Sequence, residues 1–97
     1  MEKYIALKFA NTPGSVIRIA LVLERRGYSI KALQTENFEE NEYSQMMLTV
    51  TGEPEKFEQV LKQLSKLVDV INAREFFKEK AQIKGYEKAI PVAANMV

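Results

Sequence analysis

The chain has 97 residues, 46% hydrophobic and 28% charged, the proportions of one globular domain with room for a single core. Fourteen Lys and Arg against 13 Asp and Glu leave a net charge of +1, too balanced for the positive field that nucleic-acid binding needs. Cysteine and histidine are both absent, which excludes disulfides, thiolate metal sites, cysteine nucleophiles and the usual general base at neutral pH.

No basic segment followed by a long apolar region opens the chain, and no apolar run approaches the roughly 18 to 20 residues that span a bilayer. The expectation is a cytoplasmic protein without a membrane segment. Tyr4 to Ala10 alternates, with Ile5, Leu7 and Phe9 on one side, and predicts a half-buried first strand. "NTPGS", Asn11 to Ser15, follows. Thr12 is a suitable helix N-cap, and Pro13 suits the first turn, where its missing N–H costs nothing. Gly14 lets another group approach the backbone, and the helix start favours a carboxylate or phosphate. A capped helix start with no ligand suits the same residues, and they leave both readings open.

Val16, Ile19, Ala20 and Leu23 recur at helical spacing from Ser15 to Arg26, with Arg18, Arg25 and Arg26 turned away, and Gly27 stops that helix. Tyr28 to Thr35 reads as the second strand and Tyr43 to Thr51 as the third, with Met46, Leu48 and Val50 on one face. Pro54 to Leu67 makes the second helix, striped by Phe57, Val60, Leu61 and Leu64, and Val68 to Phe76 the fourth strand. Strand, helix, strand, strand, helix, strand predicts an α+β, ferredoxin-like βαββαβ domain, a four-stranded antiparallel sheet with both helices on one face. One core should hold Ile5, Leu7, Ile19, Leu23, Leu48, Val50, Phe57, Leu61 and Leu64. The domain is assigned residues 1–77, and residues 78–97 a C-terminal tail, partly helical or disordered. Tyr4, Ala6, Tyr43, Met47 and Leu33 are placed on the face or edges that the helices leave uncovered, grouped as a partner surface or scattered as ordinary surface residues.

Several functions of this fold lack their residues here. A metal chaperone needs a C-x-x-C, an RNA-recognition motif needs aromatics where "YSQMMLTV" has methionines, and acyl-phosphate hydrolysis needs an arginine in the first loop. A small ligand-binding regulatory module is left.

Asn11 and Gly14 in "NTPGSVIRI", "RRGYSIKALQ" (Arg25 to Gln34) and "KQLSKLVDVINARE" (Lys62 to Glu75), in this order, resemble an ACT domain, and more narrowly the small regulatory subunit of acetolactate synthase, or acetohydroxyacid synthase. The resemblance covers about residues 3 to 76. It implies a non-catalytic subunit that binds and activates the catalytic subunit in branched-chain amino-acid biosynthesis. No cofactor is expected on this chain; thiamine diphosphate, magnesium and a flavin would sit on the partner. The implied effector site is Asn11, Thr12, Pro13, Gly14, Ser15 and Val16 with Ser29 and Ile30, Ser29 facing it from the neighbouring protomer of a homodimer. Valine-sensitive relatives carry Asn where this chain has Ser29, and the longer members have a second domain, so weak or absent valine feedback is implied. The dimer would pair an edge of the sheet, strand two or strand four, into eight strands, with Glu39, Glu40 and Glu42 outside the contact. The competing expectation is a free-standing amino-acid-binding ACT protein acting on another target.

Overall fold

The computed structural model describes residues 2–37 and 43–77, and the backbone of 90–91. Its elements are β1 (Glu2–Ala10), α1 (Ser15–Arg25), β2 (Ser29–Asn37), β3 (Tyr43–Thr51), a 3-10 turn (Pro54–Lys56), α2 (Phe57–Ser65), β4 (Val70–Phe76) and β5 (Ile90–Pro91). The sheet is antiparallel in the order β4-β1-β3-β2-β5, so the first four strands form the ferredoxin-like sheet that the βαββαβ order predicts.

Alternation places Ile5, Leu7 and Phe9 of β1 and Met46, Leu48 and Val50 of β3 on the face that meets the helices. Ile19 and Leu23 of α1 and Phe57, Val60 and Leu64 of α2 close the core from above, each buried. Leu61 is a correction: it packs against this core only partly buried, at the margin of the α2 stripe. Gly27 ends α1 as expected. It takes φ 81°, and its N–H donates to the Glu24 carbonyl while the Tyr28 N–H donates to that of Leu23, the paired bonds of a Schellman motif. Tyr28 therefore belongs to the helix end rather than to the second strand. Its ring is buried against Phe57, and its hydroxyl donates to the Glu53 carbonyl.

The second helix is shorter than Pro54 to Leu67. Pro54 opens a 3-10 turn, and after Ser65 the Lys66 and Leu67 N–H groups reach only to Gln63 and Leu64 carbonyls, a tightened last turn. Val68, expected at the head of the fourth strand, is 91% exposed in the turn before β4.

On the other face of the sheet Ala6, Met47 and Phe76 form a second apolar cluster with Tyr4 packed against it, and the three are 2%, 7% and 6% exposed. Tyr43 lies under the Lys8 ammonium, 5.1 Å from ring centroid to Nζ. Leu33 does not join them. It pairs with Leu48 and packs on the helix-side core, because the register slips between Ile30 and Ala32 and the extra residue reverses the phase of the strand beyond it. The second strand is also not a bare edge, since β5 pairs with Ala32 and Leu33. The expected tail, apart from Ile90 and Pro91, and the Glu39, Glu40 and Glu42 hairpin lie outside the described residues.

Candidate functional site: the turn into the first helix

"NTPGS" is built by Pro-Gly turn chemistry. Gly14 has φ 86° and ψ −5°, and the Ser15 N–H donates to the Thr12 carbonyl at 3.0 Å, a type II turn with proline second and glycine third. The first helical bond runs from the Arg18 N–H to the Gly14 carbonyl, 3.0 Å. Gly14 is thus the N-cap, and α1 has no side-chain cap. This corrects the placing of Thr12 as the cap and Pro13 in the first turn: the type II turn takes both residues and leaves helical dihedrals to begin at Ser15. The N–H groups of Val16 and Ile17 have no carbonyl within the helix to reach, as at any helix start.

Thr12 is held elsewhere. Its hydroxyl donates to Asp69 Oδ1 at 3.2 Å, and Arg18 Nε donates to Asp69 Oδ2 at 2.8 Å, with Arg18 Nη2 closing an ion pair on the same oxygen. The Ala10 N–H donates to the Asp69 carbonyl at 2.7 Å. One aspartate from the α2–β4 turn therefore ties down the whole entry to α1. The Asp69 side chain is 13% exposed against 43% for Arg18, so the pair is only partly shielded from solvent. Asp69→Asn should cost about 1 kcal/mol, and less at high salt. Urea denaturation of both chains at low and high salt measures it; a salt-independent difference would show that charge is not what Asp69 contributes.

A second network surrounds Asn11. Its Nδ2 donates to Asn37 Oδ1 at 3.1 Å, its Oδ1 accepts from the Ser15 hydroxyl at 3.4 Å, and the Ser44 hydroxyl also donates to Asn37 Oδ1. Ser15 is fully buried and Val16 packs partly buried on the core, while Asn11, Thr12, Pro13 and Gly14 are exposed. Arg18, Asn37, Ser44 and Asp69 were not legible as members of this group. Arg18 reads as a solvated helix position, and a sequence separation of 51 from Asp69 hides the pairing.

Ser29 and Ile30 do not join the loop within one chain. Ser29 pairs with Thr51, which also pairs with Glu2 at the start of β1, whereas Asn11 follows the other end of β1. Nine strand residues at ~3.3 Å each put roughly 25 to 30 Å between the two. Ser29 is exposed and Ile30 packs partly buried on the core. Among the described residues no group of three or more His, Cys, Asp or Glu could hold a metal ion, and no helix is long and apolar enough to cross a membrane.

A four-stranded ferredoxin-like sheet under two helices, with an Asn-Thr-Pro-Gly turn leading into the first, is the architecture of an ACT domain. The chain belongs to the AHAS small subunit-like ACT domain family, whose model matches residues 5–72. Over 75 residues it is 37% identical to a probable acetolactate synthase small subunit of Archaeoglobus fulgidus, covering 77% of this chain and 47% of that protein. It is 31% identical over 75 residues to the acetolactate synthase isozyme 3 small subunit of Escherichia coli, covering 77% and 46%. Among solved structures it is similar to the acetolactate synthase small subunit of Thermotoga maritima, with TM-score 0.70 and 27% identity over 80% of this chain and 48% of that one. The chain spans about half the length of these relatives.

Proposed function

We propose that this chain is a non-catalytic, cytoplasmic regulatory small subunit of acetolactate synthase, which binds and activates the catalytic subunit in branched-chain amino-acid biosynthesis and responds weakly or not at all to valine. The family match over residues 5–72 carries this reading. The reaction's thiamine diphosphate, magnesium and flavin belong to the catalytic partner. This chain has no pyrophosphate-binding glycine motif, and tight binding of thiamine diphosphate by the chain alone would contradict the assignment.

The subunit acts as a homodimer, and the distance between Ser29 and Asn11 supports it. Two β2 strands paired antiparallel about a two-fold axis set the partner's Ser29 opposite Asn37, the residue that holds Asn11. An amino acid bound there would meet the helix-start amides through its carboxylate and the polar side chains of Asn11 and the partner's Ser29 through its other end. The dipole favours the carboxylate by ~0.3 to 1 kcal/mol. Two features weaken the site. Both polar atoms of the Asn11 side chain are engaged within the chain, and Asp69 already takes the Thr12 hydroxyl and the Arg18 guanidinium. A serine hydroxyl also carries its donor and acceptor on one short-armed oxygen, where the asparagine of sensitive relatives has them on two separate atoms further out.

Calorimetric titration with valine, leucine and isoleucine tests this. Millimolar affinity or none is expected for the native chain, with a gain of about tenfold, or ~1.4 kcal/mol, for Ser29→Asn. Gly14→Asp should abolish any binding, since its carboxylate would repel the ligand's and a non-glycine residue at φ 86° is strained. Micromolar valine binding by the unmodified chain would instead make it a feedback sensor.

A further inference from the structure

The outer edge of β2 is already occupied. β5 pairs antiparallel with it, Ala32 opposite Pro91 and Leu33 opposite Ile90. β2 runs nine residues from Ser29 to Asn37, so Leu33 is its midpoint. A two-fold axis that pairs two whole β2 strands passes through that midpoint. The second copy of β2 and the chain's own β5 therefore need the same backbone groups, those of Ala32 and Leu33, and cannot both have them.

We propose that β5 is an edge cap that competes in cis with self-association through β2, and so controls assembly of the effector site. This rests on the homodimer reading above, in which the site is incomplete without the partner's Ser29. Two features suit β5 to a cap that can be displaced. Its described part, Ile90–Pro91, covers two of the nine residues of β2, against nine when two β2 strands pair in full, so a second copy offers the longer ladder. Pro91 has no N–H, so at that residue β5 cannot donate to a further strand, which keeps the capped edge from extending into open-ended association. The capped chain is the monomer, and the uncapped chain is the dimer with a complete site.

A cross-link tests the competition in the whole 97-residue chain. The chain has no cysteine, so Ala32→Cys with Pro91→Cys introduces one unique pair. Directly paired antiparallel residues have Cα atoms ~4.5 to 5.5 Å apart, within the range a disulfide accepts. The double variant is oxidised at high dilution, so that the bond closes within one chain, and its sedimentation is compared with the reduced form and with the native chain. The expected result is a dimer for the reduced form and at least tenfold weaker self-association for the oxidised form, reversed by reductant. Equal dimerisation of both forms would overturn the cap while leaving the homodimer standing. Failure of the bond to close in the folded chain would overturn it by denying the Ala32–Pro91 pairing. Monomers in every form, native chain included, would refute the homodimer and the cap with it.

Discussion

Leu64→Ala should lower the free energy of unfolding by about 2 to 5 kcal/mol, because it empties a fully buried position in the last turn of α2. Leu64 belongs to one core cluster with Ile5, Leu7, Phe9 and Leu48 of the sheet and Val60 of its own helix. For a domain of this size that loss is a large share of total stability, and the melting midpoint should fall on the order of 10 °C or more. Leu61→Ala, three residues earlier and only partly buried, should cost less than about 2 kcal/mol. Thermal denaturation of the two variants side by side checks the assignment. Equal losses would mean that the two leucines are buried alike.

Gly52→Ala should destabilise by about 1 to 3 kcal/mol or more, through overpacking rather than a cavity. A methyl group at residue 52 would lie 2.5 Å from Tyr28 Cδ2 and 2.6 Å from Cε2. The ring has little room to give way. It is 1% exposed, it meets the Phe57 ring at 6.3 Å, and its hydroxyl is anchored on the Glu53 carbonyl. The companion variant Tyr28→Ala with Gly52→Ala should lose less than the sum of its two single variants, since alanine lacks both the ring and the Cγ that would stand 2.7 Å from the added methyl group. Strictly additive losses in that double variant would show that the two residues do not meet.

The faces of the elements were legible because burial is periodic where the backbone is regular. Ile5, Leu7 and Phe9, then Met46, Leu48 and Val50, needed only alternation, and Ile19 with Leu23 only helical spacing. Legibility failed where a register slip breaks the period. Past the slip at Lys31, Leu33 turns to the helix face, and past the slip between Lys8 and Phe9 on β1 and β4, Phe76 turns to the opposite one. No local pattern announces either extra residue. At the candidate site the start of the helix was legible, but neither the type II turn that takes Pro13 and Gly14 nor the fate of Thr12 was. Local chemistry makes it a cap, and Asp69, 57 residues away in sequence, takes its hydroxyl instead. Likewise the separation of Ser29 from Asn11 follows from strand order, which gives the dimer its place in the proposal.

A catalytic subunit of acetolactate synthase assayed with and without this chain tests the central proposal most directly. The chain alone should show no turnover, its addition should raise the activity of the catalytic subunit saturably, and valine should reverse little of the gain. A catalytic subunit whose activity and elution volume are both unchanged by an excess of this chain would contradict the proposal and favour a free-standing ACT regulator with another target.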